Sequence, residues 1–449
     1  MDVLPLPPHP DLSQYKQRAT ELVVAAGSAD PGAVHRWVTD WLEAPAGPPG
    51  VSITPFVQHS FDRAVAGIEE RVRKAGSQFT LADAQLLIAG AHGFASWAAF
   101  VAAVEPPAET NPAQREFEAA ADAVVNGDLA TLEALVRRNP DLVHARSLRV
   151  HGATLLHYVA ANGVEDFRQK TPPNALAVTR LLLEAGAEVD GLANTYGGDK
   201  YQTTMNLLVS STHPAEAGLQ APLVHLLLDY GAAINGLDDD GSPLLTAMAF
   251  DYGPSVDALA RRGARIDNVV TAAAVGREDL VRSLVVDRQT LRGALPIRAP
   301  RWFKWPESAR AHIELALLFA CGFGREPVAK FLLDQGVDPA ARDGNAMTAL
   351  HWAAASRCLG LVKLLIERGA PLEVRNTWGG TVLDSTVWFA VNSPRTTSCS
   401  SHDYPAVIEA LLAAGADRAV VTPFPTGDPG LDEVLRRHGA GRERPPQGA

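Results

Sequence analysis

The chain of 449 residues carries 51 acidic and 40 basic side chains, which gives a formal net charge of −11 at pH 7. This acidic balance argues against nonspecific binding to the phosphates of nucleic acids and against an anionic membrane surface as the main partner. Hydrophobic residues make up 47% of the chain, a normal share for a folded protein, so extensive disorder is not expected.

The first eight residues lack the basic segment and the long apolar core of a signal peptide. No uninterrupted apolar run in the chain approaches the roughly 18 residues that a membrane span requires. We therefore expect a cytoplasmic protein.

Residues 1–105 are predicted to form an N-terminal helical domain, because the helical pattern there is not repeated. The apolar spacing predicts helices over 12–26 and 33–42 and further helices up to residue 105. Thr80 and Asp83 have the spacing of a capping box and predict the start of one of them. Residues 106–113, which are rich in Pro, are predicted to be a linker.

Beyond the linker the sequence repeats itself at a period of 33 residues. Leu317, Leu350 and Leu383 begin equivalent segments, and Gly336 and Gly369 each follow the second helix of a repeat. The repeats share a Thr-x-Leu-His-x-Ala core and a Leu-Leu-x-x-Gly-Ala ending. This period and these two motifs are typical of ankyrin repeats.

The pattern predicts an all-α fold, an ankyrin-repeat solenoid of helix-turn-helix units with short hairpin fingers, preceded by the small helical domain. We expect about eight units, including caps, over residues 114–440, and a flexible tail at 441–449. The consensus histidines of two repeats, His157 and His351, are expected to tie adjacent fingers together by hydrogen bonds.

Four segments break the period and are candidate functional segments, since insertions in repeat proteins often lie on a binding face. Three of them lengthen loops between helices, at residues 163–174, 212–220 and 392–404. The fourth, residues 289–310, stands where a hairpin finger is expected. It contains the run Pro-Arg-Trp-Phe-Lys-Trp-Pro at 300–306.

Four side chains of this run are candidate binding residues: Arg301, Trp302, Phe303 and Trp305. Exposed clusters of aromatic side chains usually mark interaction sites, and Trp and Arg are enriched at interaction hot spots. The alternative is that the rings pack onto neighbouring fingers. If the run is a contact loop, replacing Trp302 and Trp305 together with Ala should leave the melting temperature nearly unchanged.

The variable position after the consensus histidine faces the concave groove in ankyrin stacks. In this chain, Tyr158, Phe319, Trp352 and Ser385 are candidate binding residues at that position. Aromatic side chains there favour an apolar or peptide ligand. Packing between repeats is the alternative interpretation.

Known catalytic motifs, metal-ligand spacings and phosphate-binding loops do not occur in the sequence. We therefore predict no cofactor and no metal, and a monomeric scaffold or adaptor, not an enzyme. Its concave face and fingers would bind a protein or peptide, and neither nucleic acid nor a membrane. The alternative is an enzyme or small-molecule sensor whose ligand is enclosed by the helix–helix loop insertions near Tyr158, Tyr196 and His213.

At a finer level the sequence resembles bacterial ankyrin-repeat proteins that carry an N-terminal helical domain, a group without an established activity. The Ala-, Gly- and Arg-rich composition also favours a bacterial source. The resemblance implies the fold and a binding role and names no ligand, and residues 289–310 depart from it. The segments that carry it are residues 81–89, 92–97, 154–165, 196–198, 203–205 and 210–214.

Overall fold

The chain divides into two compact units, Met1–Ala232 and Ala233–Ala449. A computed structural model describes residues 12–43, 55–104, 112–195, 201–293, 295–296, 298–392, 403–421 and 424–439. Tyr196 lies outside the described residues. Helices make up most of both units, and the described strands contain two or three residues each.

The first unit begins with five helices that share one apolar core. They are α1 (Leu12–Ala26), α2 (Ala33–Glu43), α3 (Pro55–Ala75), α4 (Leu81–Ala91) and α5 (Trp97–Val104). Leu22, Val38, Ile68, Ile88 and Phe100 have no exposed surface in this core. Each helix buries one apolar stripe, which stabilises the group more than intrinsic helix propensity does.

Helix pairs follow in the first unit, each made of two antiparallel helices joined by a loop. The described helices are α6 (Pro112–Asn126), α7 (Leu129–Arg138), α8 (Leu155–Tyr158), α9 (Ala175–Glu184), α10 (Thr204–Leu208), α11 (Thr212–Glu216) and α12 (Gln220–Asp229). The short helix α11 lies in the loop between α10 and α12. Strands β1 (Leu192–Asn194) and β2 (Tyr201–Thr203) pair antiparallel, with Leu192 opposite Thr203.

The second unit repeats the same helix pair along the chain. Its described helices are α13 (Ser242–Ala249), α14 (Gly253–Arg261), α15 (Val269–Ala274), α16 (Glu278–Leu284), α17 (Ala309–Gly322), α18 (Glu326–Asp334), α19 (Ala349–Ala355), α20 (Leu359–Glu367), α21 (Val382–Asn392), α22 (Tyr404–Ala413) and α23 (Pro429–Arg437). Strands β3 (Val285–Asp287) and β4 (Thr290–Leu291) form a hairpin after α16. First helices of successive pairs, such as α17 and α19, pack against each other. The predicted all-α solenoid of helix-turn-helix repeats is confirmed.

The repeat consensus explains how the first helices α8 and α19 start. Thr348 begins α19: its N–H donates to Nδ1 of His351 at 3.2 Å, and its Oγ1 accepts the N–H of His351 at 3.4 Å. Thr154 and His157 form the same capping box in α8. Since Nδ1 of His157 accepts, Nε2 carries the proton and donates to the carbonyl of Gly191 at 3.0 Å. The histidine therefore ties its helix to the following finger, as the consensus predicts.

Gly369 ends α20 in the left-handed region, with φ of +77°. A Cβ atom at this position would meet no atom within 4 Å, so a substitution adds backbone strain and no clash. We expect Gly369→Val to lower the free energy of unfolding by about 1 kcal/mol or more, because a β-branched residue resists positive φ. Chemical denaturation measures the change. Gly369→Asn, which tolerates this conformation better, should lose less, and an unchanged midpoint for the Val variant would refute the assignment.

Candidate interaction site

The aromatic insertion (residues 289–310) is anchored to α17 at one end. Nε1 of Trp305 donates to the carbonyl of Arg298 at 2.9 Å, and the Trp305 ring stacks on His312 with 5.7 Å between centroids. The Phe303 ring meets Trp305 edge-on at 4.8 Å. Both rings are half-buried. These contacts fix the shape of the aromatic run, so the packing interpretation applies to Phe303 and Trp305.

Arg301 and Trp302 have the opposite character and face solvent. Trp302 exposes 52% of its surface, and its ring meets Phe303 edge-on at 5.6 Å. The aromatic run therefore combines a packed end with an exposed end. Because Trp305 is a packing residue, replacing it tests the support of the run, while replacing Trp302 tests its exposed surface.

A pocket of about 270 Å³ lies beside the anchored end of the aromatic insertion. Leu244 and Leu245 of α13 and the ring of Trp305 give it apolar walls. Its other lining residues are Asp240, Gly241, Arg265, Asp267, Asn268, Thr271, Leu295, Pro296 and Arg298. Polar and charged side chains therefore form at least half of its wall, so the pocket is not an apolar site.

Ion pairs hold the aromatic insertion to the neighbouring finger. Nη1 of Arg298 lies 2.6 Å from Oδ2 of Asp239, and Nη1 of Arg265 lies 2.7 Å from the same oxygen. Arg265 also pairs with Asp267 at 3.2 Å. The hydrogen bond from Arg265 and the charge of Arg298 hold the pKa of Asp239 below its usual range. Asp239 is thus shared by two guanidinium groups from two segments.

Two predicted groove residues are partly exposed on first helices of the second unit. Phe319 of α17 stacks on Phe323 with 5.9 Å between centroids. Trp352 of α19 donates from Nε1 to Oδ2 of Asp343 at 2.9 Å. Each is half-buried, so part of each ring remains available to a ligand.

Two other predicted groove residues are buried. Tyr158 has 0% exposed surface, and its hydroxyl donates to Oε1 of Glu165 at 3.3 Å. Ser385 is 7% exposed, and its Oγ accepts from Nδ2 of Asn376 at 3.0 Å. The expectation that these two side chains face an open groove is wrong, because packing within and between repeats covers them.

The residues expected to enclose a ligand are not brought together on one open surface. Tyr158 is buried, while His213 lies exposed on α11. In the loop insertion at 163–174, Arg168 turns to α6 and pairs with Glu118 at 2.7 Å and with Asp122 at 2.8 Å. The described part of this insertion therefore packs on α6.

A group of buried charges in the first unit was missed from the sequence. In this Glu165 cluster, Glu165 is fully buried and forms ion pairs with Arg149 and with Arg168, the latter at 3.2 Å. Nε2 of His151 lies 3.5 Å from Oε2 of Glu165, and Arg149 also approaches Glu118 at 3.9 Å. Charged residues in a loop insertion normally indicate solvent exposure, so the sequence gave little signal for this cluster.

Electrostatics keep Glu165 and Arg168 ionised. Burial alone would raise the pKa of Glu165, but the interaction with His151 and the charges of Arg149 and Arg168 outweigh burial and lower it to about 2. Burial also opposes the charge of Arg168, yet Glu118 and Glu165 raise its pKa above the usual value. A general acid or base needs a pKa near the working pH. The cluster therefore suits a structural role.

Arg149 also connects the Glu165 cluster to the N-terminal helices. Its Nη1 donates to the carbonyl of His92 at 2.9 Å, and its guanidinium lies 5.2 Å from the centroid of the Phe94 ring. Next to it, the N–H of Val150 donates to the carbonyl of Gly93 at 2.9 Å. The segment before α8 therefore binds the segment between α4 and α5 by backbone and side chain.

In the ranges that the structure describes, no group of three or more His, Cys, Asp or Glu side chains is arranged to hold a metal ion. None of the described helices combines the length and the apolar character needed to cross a membrane. Burial lowers the pKa of His157 and of His351 to about 4, so both rings are neutral at pH 7.

Comparison with known proteins agrees with the repeat architecture. A family model described as ankyrin repeats, in three copies, matches residues 269–376, which include the aromatic insertion. Residues 269–376 match ankyrin repeats. Human ankyrin repeat and SOCS box protein 16 is 28% identical over 250 residues, which cover 50% of this chain and 49% of the human protein. The bovine protein fem-1 homolog A is 39% identical over 69 residues, which cover 14% of this chain and 11% of the relative. The chain thus spans about half the length of the first relative and about a tenth of the second.

Proposed function

We propose that this chain is a non-catalytic scaffold that binds a protein or peptide partner, with Trp302 and Arg301 as its main contact residues. Ankyrin repeats generally mediate protein–protein interaction. The observation that carries the proposal is the 52% exposure of Trp302 on a run whose other end is fixed by Trp305. The proposed surface also includes the concave face, where Phe319 and Trp352 keep part of their rings exposed.

The geometry suits this role for two reasons. Trp and Arg are the residues most enriched at interaction hot spots, because each offers a large contact area together with hydrogen bonding. A run that is already ordered loses little conformational entropy on binding, so more of the contact free energy appears as affinity. The stacking on His312 and the ion pair to Asp239 provide this order.

The proposal extends to the setting of the protein. We infer a monomer in the cytoplasm of a bacterium, with no nucleic-acid or membrane partner. The acidic net charge of −11 and the composition of the chain support this inference. We also infer an N-terminal helical domain at 1–105, a linker at 106–113, the repeat array at 114–440 and a tail at 441–449. No observation favours the enzyme or sensor, since Tyr158 is buried away from solvent.

Trp302→Ala is the direct test of the proposal. We expect it to leave the melting temperature nearly unchanged and to remove a protein partner from an affinity pull-down out of native lysate, measured by quantitative mass spectrometry. Trp388→Ala is the matched control, because Trp388 on α21 is 51% exposed, and it should retain the partner. Trp305→Ala should lower the melting temperature, since it removes the stacking on His312. Recovery of the same proteins by Trp302→Ala and wild type would contradict the proposal.

A further inference from the structure

The aromatic insertion and the residue before it carry a strong local charge. Residues 288–306, which lie between Asp287 and Glu307, contain five basic side chains and no acidic ones, in a protein whose net charge is −11. The five are Arg288, Arg292, Arg298, Arg301 and Lys304. Like charges repel within one segment, so such a run is unfavourable for folding unless it serves another purpose.

Most of this charge is unpaired. Arg298 is neutralised by Asp239 at 2.6 Å. Arg288 interacts electrostatically with the neighbouring Asp287. Arg292, Arg301 and Lys304 are exposed and form no ion pair within 4.0 Å with a carboxylate among the described residues. Arg301 and Lys304 directly flank the exposed Trp302 and its neighbour Phe303. The cations therefore lie on the same short run as the proposed contact residue.

We propose that the aromatic insertion binds an acidic segment of a partner protein, one that carries an apolar side chain beside its carboxylates. The carboxylates would pair with Arg301 and Lys304, and the apolar side chain would contact the exposed ring of Trp302. The inference rests on the proposed function and adds the chemical class of the partner.

A peptide fits these charges better than a nucleic acid does. Affinity for a phosphate backbone grows with the number of phosphates neutralised, and a strand longer than the insertion would lie against an acidic protein. Asp238 and Asp240 on the adjacent finger are examples of the carboxylates that it would meet. A short acidic segment can be confined to the basic run. Single-stranded RNA, which stacks bases on aromatic side chains, is the competing outcome of the test.

The test measures fluorescence polarisation with the full chain and three labelled probes. The first is a peptide of about 12 residues in which Glu residues surround one Phe, the second has every Glu replaced by Gln, and the third is an oligouridine of about the same length. We expect the Glu peptide to bind at least about 10-fold more tightly than the Gln peptide, with a difference that shrinks as NaCl is raised.

Variants that remove positive charges test whether Arg301 and Lys304 bind the Glu peptide. Arg301→Gln combined with Lys304→Gln should weaken binding of the Glu peptide by at least about 10-fold. Lys16→Gln combined with Arg71→Gln is the matched control, since both side chains are exposed in the first unit, and it should bind like wild type. No binding of the Glu peptide, equal binding of the Gln peptide, or tighter binding of the oligouridine would overturn the inference.

The two proposals fail separately. If Trp302→Ala loses a captured protein while the Arg301 and Lys304 variant keeps both that protein and its affinity for the Glu peptide, the acidic partner and the contact role of Arg301 are refuted. The scaffold with Trp302 as its contact residue then stands. If Trp302→Ala captures every protein that wild type captures, the proposed function is refuted as well.

Discussion

Glu165→Ala is expected to lower the free energy of unfolding by about 3 to 5 kcal/mol, because it leaves buried positive charges without their carboxylate. Arg149 is 7% exposed and Arg168 is 4% exposed, so neither can recover full hydration. Urea denaturation of the purified chain measures the loss. Hydrogen exchange should show weaker protection in α4, α5 and α8, since Arg149 joins these segments through the carbonyl of His92.

A surface ion pair provides the control for this effect. Glu133 pairs with Arg137 one turn later on α7, with 59% and 73% of the side chains exposed. Glu133→Ala should cost less than about 1 kcal/mol, because water already screens that pair. If the Glu165 and Glu133 variants lost the same stability, the structural role of the Glu165 cluster would be refuted.

Acidification is expected to destabilise the protein well before its carboxylates titrate. Burial lowers the pKa of His157 and of His351 from the ordinary value of 6.5 to about 4. The unfolded chain therefore takes up protons on these rings near pH 6.5, whereas the folded chain takes them up only near pH 4. Their stabilising contribution is fully present above the unfolded pKa and is lost as the pH falls towards 4. Each ring accounts for about 3 kcal/mol over this range.

His351→Gln isolates one of these titrations, because Gln can also complete a capping box and does not ionise. We expect its free energy of unfolding, measured by denaturation from about pH 7 to about pH 4, to fall less steeply than that of wild type. His213→Gln, at an exposed histidine, is the control variant and is measured over the same pH range. Glu165 contributes in a different window, because its stabilisation is lost only as the pH falls from about 4.5 to about 2. Identical profiles for wild type and His351→Gln would refute the assignment.

Features of the fold that depend on nearby residues were predictable from the sequence. The predicted helix at 12–26 is confirmed as α1, and the predicted cap of α4 is confirmed by the hydrogen bonds between Thr80 and Asp83. The consensus Thr and Gly positions also begin and end the helices as expected. Each of these signals acts within about one turn of helix, so the pattern of neighbouring residues contains the necessary information.

The site was less predictable because its contacts join distant residues. Trp302 and Trp305 look equivalent in the sequence, and the stacking of Trp305 on His312 of the next helix distinguishes them. From the sequence, Glu165 is expected to be a solvated loop residue. The structure shows that Arg149, from an earlier segment, pairs with it. Tyr158 was assigned to a groove by its position in the repeat, but the ion pairs around Arg168 enclose it.

Arg149 and Val150 donate hydrogen bonds to the carbonyls of His92 and Gly93. These contacts do not depend on how many residues the segment between them contains. The two ends of that segment meet in the folded protein, so its extension changes mainly the entropy of closing a loop. Doubling the number of intervening flexible residues costs only about 0.6 kcal/mol, much less than removing one buried charge partner. Arg149 therefore restrains the two ends of the segment whatever its length.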